Sequence, residues 1–193
     1  MMGRQTIKRM NKSHAELTAW GFSQIDIGKS DVILDVGCGG GKALKLLSKK
    51  AANGALYGID YSETSVACAR RENKADVRSG KMDILHGSVS DMPFQDGFFD
   101  LVTSVESYYF WPDLDHDLKE VLRVLKEGGT FLIVAEMYDH AGQSEKDKQI
   151  VDLLNMHNNT PEELQDMLGR AGYRGVCVEE NKERGWICAR GIK

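Results

Sequence analysis

Apolar residues follow two rhythms along the chain. In the first, aliphatic and β-branched residues crowd together for a few positions and stop at glycine or a polar residue. The stretches are Asp31–Val36, Ala55–Ile59, Met82–His86, Phe98–Val105 and Thr130–Ala135. Near-continuous apolar runs of this length predict strands covered on both faces. In the second rhythm apolar residues recur at helical spacing. Lys42–Lys50, Ser62–Asn73 and Asp113–Lys126 separate the strands, and Leu114, Leu118, Val121, Leu122 and Leu125 form one stripe ahead of Gly128. The alternation predicts an α/β domain built on a parallel sheet.

Both ends add to this frame. Ser13-His14-Ala15-Glu16 fits a capping box, which predicts a helix running toward Ile27. A further helix is expected over about 143–157. Thr160-Pro161-Glu162-Glu163 predicts another helix start, with Gly172 as its stop. Gly175–Val178 and Gly185–Ala189 read as an antiparallel hairpin. The expected division is an N-terminal helical lid segment, 1–28, and a single domain, 29–193.

Composition narrows the function. The chain has 193 residues, 41% hydrophobic and 28% charged, which supports a folded core and argues against disorder. A net charge of −4 makes nucleic acid an unfavoured partner. The longest apolar run, Phe131–Ala135, is far short of the roughly 20 residues of a membrane span. No secretory leader is expected from the basic start, which has no apolar core. Cys38, Cys68, Cys177 and Cys188 show neither CxxC nor zinc spacing, so no metal site is expected and a cytoplasmic setting is.

The segment with most chemistry is Val32-Ile33-Leu34-Asp35-Val36-Gly37-Cys38-Gly39-Gly40-Gly41-Lys42, a strand feeding glycines that feed a helix. Ligands of open α/β sheets bind at such strand ends. The dinucleotide pattern GxGxxG fails, because Lys42 holds its sixth position. The phosphate-loop pattern fails too, because Ala43 follows Gly41-Lys42. An acid two positions ahead of GxGxG fits. Asp60, at the end of the second strand, can accept from both hydroxyls of a ribose, or cap the helix near Ser62. Asp91 closes the segment after the third strand.

Together these segments resemble the class I S-adenosylmethionine-dependent methyltransferases, most nearly the branch described as UbiE-like or methyltransferase type 11. ILDVGCGGGK, YGIDYS, GSVSDMPFQDGFFDLVTSVES, LKEVLRVLKEGGTFLI and AGYRGVCVEE carry the likeness, over nearly all of residues 31–190. The resemblance implies a Rossmann-like seven-stranded sheet of order 3-2-1-4-5-7-6, with strand 7 antiparallel and helices on both faces. It implies S-adenosylmethionine as cofactor and S-adenosylhomocysteine as product. Asp35, Gly37, Cys38, Gly39 and Gly41 would face the methionine part. Asp60 and Tyr61 would meet the ribose, and Ser90, Asp91 and Met92 the adenine. Val105 and Glu106 would flank the transferred methyl.

Methyl transfer from a sulfonium needs alignment first, and a base only if the acceptor holds its proton. Glu106 is the expected base or substrate anchor. Glu136 and Tyr138, at the end of the fifth strand, are weaker candidates on the same rim. Tyr108 and Tyr109 are acceptor walls or core residues in equal measure, and Trp20 is a pocket wall or a packing residue. Phe110 and Trp111 are expected to pack the following helix. The basic residues Arg4, Lys8, Arg9 and Lys12 read as a solvated arm. The expected function is in-line methyl transfer to a small-molecule acceptor. An RNA methyltransferase and a non-catalytic S-adenosylmethionine-binding module are the alternatives. A nicotinamide-dependent oxidoreductase is disfavoured by Lys42.

Overall fold

A computed structural model describes residues 14–193. Ser13 of the expected capping box and the basic arm lie outside the described residues. The strands are β1 (Val32–Val36), β2 (Ala55–Asp60), β3 (Met82–His86), β4 (Phe99–Val105), β5 (Leu125–Ala135), β6 (Arg174–Asn181) and β7 (Trp186–Ile192). The helices are α1 (Ala15–Gly21), α2 (Lys42–Lys50), α3 (Glu63–Glu72), α4 (Lys74–Arg78), α5 (Leu114–Val124), α6 (Glu145–Leu154) and α7 (Pro161–Ala171). Tyr108–Phe110 makes a single 3₁₀ turn after β4.

One sheet holds all seven strands in the order β3-β2-β1-β4-β5-β7-β6. β1 to β5 pair in parallel, and β7 runs antiparallel to β5 and β6. The fold is the one the resemblance implied. Strand alternation splits the core into two layers. Leu34, Phe131 and Ile133 face one way and pack with Leu118 and Val121 of α5 and Leu168 of α7. Ile33, Leu132 and Val134 face the other way, with Leu17 of α1, Leu44 and Leu47 of α2 and Val66 of α3.

The largest departures from expectation are two helix ends and one short helix. The helix expected to reach Lys126 ends at Val124, because Leu125 already has extended backbone and pairs with Phe99. The strand then bulges across Gly128 and Gly129, where Lys193 closes the gap by hydrogen bonds with both. The first helix stops at Gly21 rather than near Ile27; a Cβ at Gly21 would sit 2.3 Å from Val134, so the helix lies directly on the sheet. α4 was not foreseen, being too short to carry a periodic signal. The α7 boundaries match, with the full capping box between Thr160 and Glu163 and Gly172 in the left-handed cap. No described helix is long and apolar enough to cross a membrane.

Candidate active site

Strand order reverses direction between β1 and β4, and the carboxyl ends of β1, β2 and β4 open there onto one cavity of about 980 Å³. That is the upper end of the usual small-ligand range, about 300–1,000 Å³. The glycine loop forms its floor. Gly37, Gly39 and Gly41 all have left-handed backbone, at φ 71°, 53° and 78°. Gly37 must be glycine on a second count: a Cβ there would lie 2.5 Å from the Cβ of Ser107.

Backbone hydrogen bonds tie the loop to the end of β2. The N–H groups of Gly37 and Cys38 both donate to the Ile59 carbonyl, at 2.8 and 3.1 Å. Gly39 N–H donates to Asp60 Oδ2 at 2.8 Å, and Ser62 N–H donates to Asp60 Oδ1 at 2.9 Å. Asp60 does not cap α3, whose N-cap is Ser62 with its hydroxyl accepting from the Ser65 N–H, and it lines the cavity. Asp35 is buried beneath the loop, accepting from the Thr103 hydroxyl at 2.7 Å. Burial pushes its carboxyl up to about 7; the Thr103 hydrogen bond works against this and the charge of Asp60 adds to it. Burial also raises the Cys38 thiol, with the same two carboxyls contributing.

The opposite rim is made of side chains from three distant elements. Glu106 follows β4 with φ 56°, a left-handed conformation unusual for a residue with a Cβ. Its Oε1 accepts from the Glu136 N–H at 2.6 Å and its Oε2 from the Tyr109 hydroxyl at 2.9 Å. His14, just ahead of α1, places Nε2 3.1 Å from Glu136 Oε1 and 3.4 Å from Glu106 Oε2. Burial raises the Glu106 carboxyl to about 7, with the Glu136 charge adding to it and His14 and the two hydrogen bonds opposing. His14 is held above its ordinary value: burial lowers it, and the Glu136 hydrogen bond with the two carboxylate charges outweighs that.

The structure brings together Asp35, Gly37, Cys38, Gly39, Asp60, Tyr61, Val105 and Glu106, all of which line the cavity. Gly41 does not; it supports the loop from behind, its carbonyl accepting from Asn73 Nδ2 at 2.9 Å. After β3, where the resemblance expected the adenine, the lining is Gly87, Ser88 and Val89. Ser90 lies just beyond it, Asp91 faces solvent, and Met92 is a core residue whose N–H donates to Glu120. Trp20 packs on Trp186, ring centres 5.8 Å apart. Tyr108 is buried in the core and Tyr109 is bonded to Glu106, neither lining the cavity. Phe110 and Trp111 do line it. Tyr138 and Glu136 line a second, neighbouring cavity of about 530 Å³, where the Tyr138 hydroxyl donates to Glu180 at 3.1 Å.

Sequence reading expected the segment around His14 over the pocket but singled out only Trp20 as a wall residue, where His14 and Thr18 line the cavity, and it missed Ser107. His14 carries no local signal, because its partner Glu136 is 122 positions away. His14, Glu106 and Glu136 also form a group of three metal-capable side chains, with donor atoms within 4.8 Å of one another. Their hydrogen bonds already account for that closeness, since each Glu106 oxygen and His14 Nε2 has a partner within the protein.

A family model described as a methyltransferase domain matches residues 34–133, the segment from β1 through most of β5. An uncharacterized methyltransferase of Bacillus subtilis is 31% identical over 139 residues, covering 72% of this chain and 75% of its own. A sarcosine/dimethylglycine N-methyltransferase of Halorhodospira halochloris is 26% identical over 186 residues, 92% of this chain but only 60% of the relative. Among solved structures, a SAM-dependent methyltransferase from Aquifex aeolicus superposes with a TM-score of 0.80 over 97% of both chains at 21% identity, a likeness of fold. The matched segment holds the glycine loop, Asp60 and Glu106, and the chain belongs to the S-adenosylmethionine-dependent methyltransferases.

Proposed function

We propose that this chain binds S-adenosylmethionine across the glycine loop and methylates a small-molecule acceptor at the Glu106 end of the cavity. One observation carries the reading. A single cavity has carboxyl groups from the ends of β1, β2 and β4, namely Asp35, Asp60 and Glu106, along its otherwise largely apolar wall. The ligand has an ammonium, a ribose diol and a sulfonium, and three separated carboxyls answer those needs in kind. Gly37 adds to the fit, since without a side chain the loop packs directly on Ser107 of the turn after β4.

When bound, the cofactor supplies a methyl group already activated by its sulfonium. The protein's task is positioning and exclusion of water, and alignment alone is worth on the order of 7–11 kcal/mol of barrier. Phe110, Trp111 and Pro112 line the same cavity and give it apolar surface after β4. Glu106, buried and clamped by two hydrogen bonds, is placed to orient an acceptor and take its proton. A small molecule is favoured over RNA because these groups lie inside a cavity of a chain with net charge −4.

Calorimetric titration with S-adenosylmethionine, S-adenosylhomocysteine and NADH tests the reading. Binding of the first two and not of NADH is expected. A folded protein that ignores both adenosyl ligands overturns it.

A further inference from the structure

We propose that the acceptor is an amine, held as its ammonium against Glu106 and relieved of its proton along Glu106, His14 and Glu136. The inference rests on the methyl-transfer reading above and names the substrate class of that site. Its basis is the arrangement of three groups from three elements. Glu106 lies at the cavity end of β4, with left-handed backbone and both oxygens engaged. Such conformations persist only where the surroundings enforce them, and they gather at functional sites. Here the Glu136 N–H and the Tyr109 hydroxyl enforce it, and hold the carboxylate where the cavity can use it.

Charge selects the ligand. The cluster sets two carboxyl groups against one imidazole, so it favours a cation over an anion. Lys42, Lys45 and Lys49 line the same cavity at its glycine-loop end, where Lys42 and Lys45 pair with Glu72, so an anionic acceptor would still meet Glu106 at the reacting end. Phe110 and Trp111 line the same cavity, where ring faces attract a cation further.

The proton route follows from exposure. Side-chain exposure rises from 6% at Glu106 to 17% at His14 and 39% at Glu136. Glu136 opens onto the second cavity, away from the glycine loop. The three groups therefore lead from a buried carboxylate to water through one imidazole. An alkyl ammonium of ordinary pKa, about 10.4 for the lysine kind, has no lone pair at neutral pH and must lose a proton first. R–NH₃⁺ gives that proton to Glu106. The freed nitrogen pair forms the N–C bond while the pair of the broken S–C bond stays on sulfur. The product is R–NH₂–CH₃⁺, and one proton leaves per turnover through His14 and Glu136.

The test uses protein saturated with S-adenosylhomocysteine, titrated calorimetrically with phenethylamine and butylamine and with their matched alcohols and carboxylates. The amines are expected to bind at least about tenfold more tightly than either analogue. Glu106→Gln and, because a buried change can disturb folding, the more exposed Glu136→Gln are each expected to weaken amine binding about tenfold or more, with S-adenosylhomocysteine affinity within about twofold. Loaded protein that binds no amine, or prefers a carboxylate or an alcohol, overturns the amine proposal and leaves methyl transfer standing. Failure to bind S-adenosylhomocysteine itself overturns both. Amine binding abolished by EDTA and restored by Zn²⁺ overturns the proton route and makes the three side chains a metal site.

Discussion

The two ends of the cavity are built on different principles. The β1–β2 end is mostly backbone: left-handed glycines, N–H groups on the Ile59 carbonyl, and Gly39 N–H on Asp60, all within a short stretch of chain. The β4–β5 end is side chains from α1, the turn after β4 and the residue after β5. Backbone geometry tolerates most substitutions except at the glycines. A side-chain cluster can be rewritten one residue at a time without disturbing the loop. The first end therefore suits a constant ligand and the second a variable one.

The largest effect is expected where the two ends touch. Gly37→Ala places a Cβ against Ser107 and puts an L-residue at φ 71°. The backbone penalty alone is about 1–2 kcal/mol, and the contact adds to it, so S-adenosylmethionine affinity should fall about 100-fold or more in calorimetry. Gly37→Ala with Ser107→Gly should recover only part, because the φ penalty stays. Full recovery would mean that contact, not backbone, is what glycine serves there.

Glu106→Gln should separate the two ends. Turnover with an accepted substrate should drop about 10²–10⁴-fold, the range of a lost proton acceptor, with the affinity for S-adenosylhomocysteine, which has no sulfonium, within about twofold. The same variant carries a stability signature. The Glu106 carboxyl is raised to about 7 in the folded protein. Its contribution to stability is complete below the unfolded value, about 4.3, and is lost as pH rises through 7. Glu106→Gln should therefore raise the melting temperature at about pH 8 and leave it nearly unchanged at about pH 4. A variant destabilised at high pH would show that the carboxylate supports the fold.

Asp35 gives a smaller, pH-dependent effect at the glycine end. Its raised carboxyl must ionise to meet the cofactor's ammonium. Affinity should weaken about tenfold per pH unit below 7 and level off above it, and binding should release a proton, measurable as buffer-dependent heat. Asp35→Asn should bind more weakly at neutral pH and lose that slope. A wild-type protein with no slope between about pH 5.5 and 7 would separate Asp35 from the ammonium.

Legibility in the sequence followed the same division. Sheet order came only with the family resemblance; the antiparallel hairpin, the α7 capping box and the loop acids were readable because each rests on spacing within a short window. His14 was not, since nothing near it points to Glu136. Tyr109 was foreseen only as wall or core, and its role as a clamp on Glu106 exists only once the turn after β4 is formed. The helix end at Val124 was misplaced because Gly128 looks like a stop, while the pairing of Leu125 with Phe99 takes over earlier.

Asp91 is the place where resemblance and geometry disagree most quietly, and the smallest expected effect settles it. By position after β3 it was assigned to the adenine. The cavity wall there is made by Ser88 and Val89, and Asp91 points to solvent. The Ser88 hydroxyl accepts from the Ser90 N–H at 3.1 Å, just ahead of Asp91. Asp91→Ala should therefore change S-adenosylmethionine affinity by no more than about twofold, as for surface substitutions generally, in the same calorimetric assay. A tenfold loss would mean that the segment after β3 rearranges when the adenine arrives and brings Asp91 inward. In that event the adenine pocket forms by side-chain movement, and the contrast between a backbone-built end and a side-chain-built end would hold only for the methionine and ribose portions.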